Sequence, residues 1–340
     1  METVKSVILF MVALLLGGAT TPGVTVEHNG QPKDKNLYAA VFLNRGQVTS
    51  GGTRTVGFFR RTPGDTMWTN MYQPNLLTFG MAIWQKGATL RRYLCMGNGL
   101  HRSDDNGHTW RVLTDWHTEE VLSVALDPRD SARIYIATPF GVFISTDDGA
   151  HWARKMQGMK KWFVKRLLLD KSDPNIIYAA GEDDLYQSTD RGEHWKPLRV
   201  GAPLIEAVIQ LPSDSKRLLV GTEDNGVRVT TDGGKTWREG KGLPMNACYG
   251  LCASSDGQTV YTGGFKTGLW KSTDGGLSWS LLWQNSDIEA IFTIFVHPDD
   301  PLHLLVGTSG QGIYESLDGG KTWLYAGLRG CHVKQIDLYP

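Results

Sequence analysis

Residues 145–152 read Ser145-Thr-Asp147-Asp-Gly149-Ala-His-Trp152, and the pattern Ser/Thr-x-Asp-x-Gly-x-x-Trp recurs along the chain. Five further copies occupy residues 103–110, 188–195, 230–237, 272–279 and 316–323. A degenerate copy, with Gly64 one place early, ends at Trp68. The tryptophans that close the seven copies follow one another at intervals of 42, 42, 43, 42, 42 and 44 residues. Such a regular period predicts a repeat architecture.

Each copy of the motif predicts a tight turn between two strands. The Asp carboxylate can accept backbone N–H groups, the Ser or Thr hydroxyl does so more weakly, and the Gly supplies a positive φ. The Trp is expected to fold back over the hairpin and to bury about 150–250 Å², which stabilises the hairpin by at most about 4–6 kcal/mol. We interpret the motif as a structural staple and not as a cation site, because a ligand site is not usually copied into every repeat.

Residues 120–155 show the internal order of one repeat. Apolar or alternating stretches predict four short strands separated by turns, at 121–126, 133–137, 141–145 and 151–155. First strands are also predicted at 163–169, 205–211, 249–253 and 291–296, and second strands at 176–180, 217–220, 259–262 and 302–306. Four strands in each period of about 42 residues indicate an all-β propeller with one blade per repeat.

The two ends of the chain complement each other. Residues 37–42, 55–60 and 67–72 predict a second, third and fourth strand with no first strand before them, whereas residues 333–340 match a first strand. We therefore predict a seven-bladed β-propeller over residues 37–340, closed by a C-terminal strand that completes the first blade.

The N-terminal segment is typical of an export signal. Lys5 precedes an apolar run at residues 7–16, and Gly17, Gly18 and Ala19 are small residues suited to cleavage. A run of ten residues is too short to span a bilayer comfortably. We predict a signal peptide over 1–19, a linker over 20–36, and a protein exported to a periplasm, a lumen or the extracellular space. Without cleavage the run would remain as an N-terminal anchor.

Charge and cysteine content argue against nucleic-acid binding and against a zinc or haem site. The chain has 35 basic and 35 acidic residues, which argues against a general nucleic-acid binder. The four cysteines have neither zinc nor haem spacing, and we expect them to be mostly buried small residues. His297 and His303 flank a turn and are expected to hydrogen bond locally. No metal or other cofactor is predicted.

The positive charge is uneven. Residues 44–111 contain nine basic and three acidic residues, a net charge of +6. Such asymmetry within one domain indicates a partner surface, and arginine suits ion pairs at interfaces. The candidate partner-binding residues of this basic cluster are Arg54, Arg60, Arg61, Arg91, Arg92 and Arg102.

A second set of candidates comes from the channel mouth. In a propeller, the loops that lead into the innermost strands and the loops between second and third strands line this mouth. They supply further partner-binding candidates at Lys160, Lys161, Trp162, Arg166 and Lys334. They also contain the carboxylates Glu119, Glu120, Asp183, Glu206 and Glu289, which could pair for glycoside hydrolysis. We interpret these carboxylates as solvated rim charges, because a charged rim nearly always provides such pairs.

The repeated motif resembles the Asp-box, or bacterial neuraminidase repeat, of sialidases, sortilin-like receptors, xyloglucan-active glycoside hydrolases and the photosystem II assembly/stability factor family. Residues 59–63, Phe-Arg-Arg-Thr-Pro, match the sialidase arginine segment poorly. The xyloglucan-active enzymes pair two propellers, whereas this chain has one. A single ring with a box in nearly every blade resembles the photosystem II factor family most, over residues 37–340.

That resemblance implies a non-enzymatic propeller that binds a membrane-protein assembly intermediate through an arginine patch. Arg60, Arg61, Arg91, Arg92 and Arg102 are the candidates for that patch by their place in the ring. We therefore predict an exported scaffold that binds a protein partner and helps a membrane-associated complex to assemble or persist. It would be peripheral to the membrane at most. The alternative is a glycan-binding or glycan-cleaving propeller of sialidase-like type.

Overall fold

The computed structural model describes residues 35–43, 56–72 and 76–339. The predicted signal peptide, the predicted linker before Lys35, and Arg54 lie outside these residues. The described residues form strands, turns and loops, and they contain no helix that is long and apolar enough to cross a membrane.

The strands form seven four-stranded antiparallel sheets, which we number as blades by their order along the chain. Blade one has β1 (Asn36–Leu43), β2 (Gly57–Arg61) and β3 (Thr69–Tyr72), completed by β28 (Cys331–Tyr339). Blade two has β4 (Thr78–Lys86), β5 (Thr89–Met96), β6 (Gly99–Ser103) and β7 (Arg111–Val112). Blade three has β8 (Ser123–Leu126), β9 (Ile134–Thr138), β10 (Gly141–Ser145) and β11 (Ala153–Arg154).

The remaining four blades repeat this order. Blade four has β12 (Val164–Leu169), β13 (Ile177–Gly181), β14 (Leu185–Ser188) and β15 (Lys196–Pro197). Blade five has β16 (Ile205–Leu211), β17 (Asp214–Thr222), β18 (Val227–Thr230) and β19 (Arg238–Glu239). Blade six has β20 (Cys248–Ala253), β21 (Val260–Gly264), β22 (Leu269–Ser272) and β23 (Ser280–Trp283). Blade seven has β24 (Ile291–His297), β25 (Asp300–Thr308), β26 (Ile313–Ser316) and β27 (Leu324–Tyr325). The predicted seven-bladed propeller is confirmed.

The predicted closure of the ring is also confirmed. β28 pairs with β1 in antiparallel register from Asn36↔Tyr339 to Leu43↔Cys331, so the last strand supplies the innermost strand of the first blade. Val333 and Ile336 of β28 are buried with Ala39 and Val41 of β1 in one apolar cluster, which also includes Phe295 of blade seven. Both ends of the chain are therefore held in the same sheet and packed against the last blade.

The core lies between the blades. Each pair of neighbouring blades encloses a cluster of buried apolar side chains, and these clusters run around the whole ring. Alternate side chains of a strand point to opposite faces of its sheet, so both faces of every blade are buried against neighbours. The four cysteines are free and buried, as predicted.

The six complete copies of the motif form the predicted turns, which we call Asp turns. In the copy at residues 145–152, the Ser145 hydroxyl donates to Asp147 Oδ1 at 2.9 Å and accepts the backbone N–H of Gly149 at 2.9 Å. Asp147 in turn accepts the backbone N–H of His151 at 2.9 Å. Because the residues before Trp152 form the turn, the fourth strands are shorter than predicted. β11 has two residues, whereas a strand of five residues was predicted.

The tryptophans bear out the self-contained hairpin in three blades and correct it in four. The indole N–H groups of Trp110, Trp279 and Trp323 donate to glycine carbonyls of their own turns. The indole N–H of Trp152 donates to the carbonyl of Leu113 in blade two, and that of Trp195 donates to the carbonyl of Lys155 in blade three. Trp237 and Trp68 bond to the preceding blade in the same way. The motif therefore joins neighbouring blades as well as folding its own hairpin, because the Trp lies at the seam between them.

Candidate functional site

The innermost strands of six blades carry a β-bulge near their first residue. A bulge sets two residues of one strand opposite one residue of its partner and redirects a side chain. The bulged residues recur at the interval of the repeat, at the end of the channel where the inner strands begin. We call them the mouth ring: Phe79, Lys165, Glu206, Tyr249, Phe292 and Lys334.

Members of the mouth ring contact one another from blade to blade. Lys334 Nζ lies 3.5 Å from the centroid of the Phe292 ring, which is 5.6 Å from the ring of Tyr249. Lys165 forms an ion pair with Glu206, whose side chain is fully buried. All six members are buried. Among the described residues, packed side chains therefore close this end of the channel, and a cavity below them is lined by residues that include Gly80, Arg166 and Gln335.

One acid next to the mouth ring has a perturbed pKa. Burial, followed by the negative charge of Glu206, raises the pKa of Glu223 to about 7. Glu223 comes from the loop between β17 and β18, and its Oε1 accepts a long bond of 3.4 Å from the Tyr249 hydroxyl. Burial lowers the pKa of Lys165, and the Glu206 carboxylate opposes this change. This part of the mouth can hold or release a proton near neutral pH.

Polar side chains also fill the channel below the mouth ring. Arg166 Nη1 donates to the carbonyl of Leu122 at 3.4 Å, and Gln335 Oε1 accepts the backbone N–H of Met81 at 2.8 Å. Both side chains pass Gly80, where an added Cβ would lie 3.1 Å from Gln335 Oε1 and 3.7 Å from Arg166 Nη1. The glycine thus makes room for two long side chains that tie separate blades together.

Around the closed mouth, the rim exposes large aromatic side chains. Trp116 and Trp162, in the loops that lead into blades three and four, are 76% and 64% exposed. Phe140, in the turn between β9 and β10, is also exposed. Arg154 joins two of these residues: its guanidinium lies 5.0 Å from the Trp162 ring centroid, and its Nε donates to the Phe140 carbonyl at 2.7 Å. We call Trp116, Phe140 and Trp162 the aromatic rim.

The predicted residues Lys160 and Lys161 lie beside the aromatic rim, in the loop that leads into β12. The backbone N–H of Lys160 donates to the Tyr186 hydroxyl at 3.2 Å, which fixes this loop to blade four. Lys161 Nζ lies 3.9 Å from Glu182 and is otherwise exposed. Sequence reasoning therefore found an exposed group here: two lysines next to Trp162.

Arg166 and Lys334 were predicted in mouth loops, and this placement is wrong. Arg166 lies on β12 and Lys334 on β28, and both side chains are buried in the channel. Glu206 likewise lies on β16 and is buried. β12 and β16 begin within one residue of their predicted starts, and β28 begins at Cys331, two residues earlier than predicted. The burial of these charged side chains was missed because it depends on the neighbouring blades that cover them and not on the local apolar pattern.

The arginines of the basic cluster occupy the predicted strands, but most of them face neighbouring blades. Arg61 forms a two-bond ion pair with Glu315 of blade seven, at 2.9 and 2.6 Å, and stacks on Trp68 at 5.3 Å. Arg92 donates to the Tyr38 hydroxyl of blade one at 3.2 Å. Arg61 and Arg92 are both buried, so each joins two blades and is covered in doing so.

The next two arginines connect blades two and three. Arg91 Nη1 and Arg102 Nη1 both reach Asp148 Oδ1, at 2.9 and 2.5 Å, and both contact Asp104. Arg102 is buried and Arg91 is partly covered. Arg60, on β2, remains half-buried. Partner binding by this cluster stays a prediction. In the structure, its arginines join neighbouring blades at three successive seams of the ring.

The other carboxylates and histidines are spread out. Glu119 and Glu289 are exposed, and Asp183 accepts the Tyr186 hydroxyl at 2.8 Å. Burial and the nearby charge of Glu119 raise the pKa of Glu120. His303 Nε2 lies 2.6 Å from Glu315, so it belongs to the Arg61 pair. The described ranges contain no group of three His, Cys, Asp or Glu residues that could hold a metal ion.

Sequence reasoning missed the mouth ring as a unit. Its members differ in chemistry, being phenylalanine, tyrosine, lysine and glutamate, so no repeated letter marks them. The available signal was positional: five members are the second residue of their inner strand, and Lys334 is the fourth residue of β28.

The fold defines a seven-bladed β-propeller in which six of the seven inner strands carry a bulge. The chain belongs to the DUF6242 beta propeller domain family, whose model matches residues 145–328. An oligoxyloglucan-reducing end-specific xyloglucanase of Emericella nidulans is 26% identical over 200 residues, which are 53% of this chain and 21% of that protein.

Solved structures share the fold. The GH74 xyloglucanase of Xanthomonas campestris superposes with a TM-score of 0.61 at 22% identity, over 73% of this chain and 45% of that one. YCF48 bound to a D1 peptide superposes with a TM-score of 0.55 at 17% identity, over 72% of this chain and 79% of that one. YCF48 from Cyanidioschyzon merolae superposes with a TM-score of 0.53 at 15% identity, over 78% of this chain and 95% of that one. The chain thus spans less than half the length of the xyloglucan-active relatives and most of the length of the YCF48 chains.

Proposed function

We propose that this protein is an exported, non-enzymatic scaffold that binds a protein partner through the mouth face, and that it helps a membrane-associated complex to assemble or persist. The observation that carries the proposal is the aromatic rim around a closed mouth. Exposed Trp, with Arg beside it, is typical of the residues that dominate protein–protein binding energy. A mouth that the described side chains pack closed suits a protein surface better than a buried small substrate.

Trp162 is the centre of the proposed contact surface. Its ring is held by Arg154 on one side, and Lys160 and Lys161 precede it in the same loop. An aromatic ring held in place before binding loses little conformational freedom when a partner covers it. The adjacent lysines would add attraction for an acidic segment of the partner and speed its association.

The mouth carboxylates argue against glycoside hydrolysis. A glycosidase needs two carboxyl groups about 5–9.5 Å apart on either side of an accessible glycosidic bond. Glu206 is fully buried and ion-paired with Lys165, so it cannot reach a sugar. Glu223, the acid whose pKa of about 7 suits a general acid, lies beside Glu206 and shares its surroundings. Glu206 is part of the closed mouth ring, and Glu223 is half-buried next to it.

The relatives give this proposal modest support. YCF48, which has the same fold and is covered along most of its length, has been solved with a bound D1 peptide. At 17% identity the likeness extends to the fold alone, so the partner of this chain is to be found by experiment.

The test is affinity capture from the detergent-solubilised membrane fraction of the source cells. Wild type is compared with a Trp162→Ala/Phe140→Ala variant and with Leu281→Ala, which removes an exposed apolar side chain of β23 in blade six. We expect the same protein to be captured by wild type and Leu281→Ala and to be reduced at least about tenfold with the rim variant, as for a hot-spot residue. Equal capture by all three would refute the mouth face as the binding surface.

A second candidate is glycan binding, which the 26% identity to a xyloglucanase favours. Exposed tryptophans such as Trp116 and Trp162 can also stack on sugar rings. Incubation with xyloglucan oligosaccharides separates the two functions. Release of shorter sugars that is lost in Glu120→Gln would establish hydrolysis and overturn the scaffold proposal, whereas no release and no heat of binding would exclude both glycan roles.

A further inference from the structure

Blade seven exposes three leucines on the side of the ring opposite the mouth and along its outer strand. Leu302, Leu317 and Leu324 are 55%, 67% and 73% exposed. The carbonyl of Leu302 accepts the backbone N–H of Gly319, which is two residues after Leu317. Leu324 pairs across the sheet with Glu315, which is two residues before Leu317. The three leucines therefore belong to one corner of the blade, which we call the leucine edge.

The leucine edge is specific to blade seven. In blade five the same three places hold Lys216, Thr231 and Arg238, as judged from their positions in β17, the Asp turn and β19. The backbone is equivalent, since the Lys216 carbonyl accepts the N–H of Gly233 just as Leu302 accepts that of Gly319. Because the fold accommodates polar residues at these places, folding does not explain three exposed leucines here.

The chain enters the propeller at the same corner. Lys35, the first described residue, lies 3.5 Å from Asp299, three residues before Leu302. Thirty-four residues precede Lys35, and they include the apolar run 7–16. The eighteen residues between that run and Lys35 can span at most about 60 Å, so a run held in a membrane keeps this corner close to the same membrane.

We propose that the leucine edge rests on the surface of a lipid bilayer. In a chain that keeps the N-terminal run, which is the uncleaved alternative given above, the edge is a second apolar contact beside that run. One weak apolar anchor gives only reversible membrane binding, and two together give stable association. The edge is not basic, because Lys35 and Lys321 are balanced by Asp299 and Asp300, so a neutral lipid surface fits it better than an anionic one. This orientation turns the mouth, on the opposite side of the ring, away from the bilayer.

The first test places a polarity-sensitive nitrobenzoxadiazole label on the full chain at Leu302→Cys, with Lys216→Cys as the matched control in blade five. The four native cysteines are buried, so each variant carries one reactive thiol. With phosphatidylcholine vesicles we expect a blue shift at position 302, together with quenching by spin-labelled lipid, and neither at position 216. An equal response at both positions, or none at position 302, would overturn the proposal.

The second test transfers the residues of blade five to blade seven in the full chain: Leu302→Lys, Leu317→Thr and Leu324→Arg. We expect flotation with phosphatidylcholine vesicles to show at least a tenfold lower partition coefficient, with an unchanged melting temperature. Adding phosphatidylserine should not strengthen wild-type binding. An unchanged partition coefficient would contradict the proposal. So would a wild-type dimer that the exchange converts to a monomer without vesicles, because the edge would then be an interface between copies.

Discussion

At the scale of single residues, the channel is organised by charged side chains that the ring covers. Lys165, Glu206 and Lys334 are buried where inner strands of other propeller blades could carry apolar residues. Burying a charge is costly unless it is paired, and Lys165 and Glu206 meet that need across a blade seam. Such pairs favour one arrangement of neighbouring blades over others, and they make stability at this point depend on protonation.

Glu223 determines whether the stability at this point rises or falls with pH. Its pKa is about 7 in the fold and lies near 4.5 without it, so folding favours the protonated acid. The contribution is complete below about pH 4.5 and is lost as the pH rises through 7, a change of at most about 3 kcal/mol. We expect wild type to lose stability between pH 5 and 8 relative to Glu223→Gln, which stays neutral.

The measurement is urea denaturation of both proteins at pH 5 and pH 8, with Asp224→Asn as the control for an exposed neighbouring acid. Taking the difference between wild type and Glu223→Gln cancels the opposite trend of His332, whose pKa burial lowers to about 4. If the difference in unfolding free energy is the same at both pH values, Glu223 is ionised in the fold and the account of the mouth is wrong.

At the scale of the element, the Asp turn acts through its hydroxyl. In blade four, Ser188 is buried, donates to Asp190 Oδ1 at 2.8 Å and accepts the N–H of Gly192 at 2.8 Å. Ser188→Ala leaves a buried N–H group without its partner, which costs about 1–3 kcal/mol. We expect thermal unfolding at a lower temperature than wild type, with Thr189→Ala, exposed in the same turn, close to wild type. Equal melting of the two variants would mean that the Asp carboxylate alone forms the turn.

The sequence predicts those structural features that residues adjacent in the chain determine. It does not predict features that depend on residues brought together only by the fold. The Asp turns are local, so the repeated letters predicted their place and bonding, and the number of blades followed. Arg61 and Arg102 could be placed on their strands, but Glu315 and Asp148 could not be named as partners, because blade-to-blade packing brings them together. Lys334 and Arg166 were misplaced for the same reason, because the neighbouring blades that bury their side chains are not adjacent in sequence.

At the scale of the whole molecule, closure decides whether seven blades act as one body. β28 fills the inner place of blade one and packs against β24, β25 and β4, so its removal opens a sheet and two blade seams at once. A chain that ends at Gly330 would leave the inner edge of β1 and buried side chains such as Val41 without partners. Exposed strand edges of this kind favour aggregation.

We therefore expect truncation after Gly330 to abolish a single cooperative unfolding transition and to yield largely insoluble protein, whereas removal of Pro340 alone leaves the melting temperature unchanged. Addition of a synthetic peptide of residues 331–339 to the truncated chain during refolding should restore part of the soluble, cooperatively melting protein, since the peptide can pair with β1. A truncated chain that melts cooperatively at the wild-type temperature would show that six complete blades hold the ring by themselves. The two ends of the chain would then meet as a consequence of the fold and not as its lock.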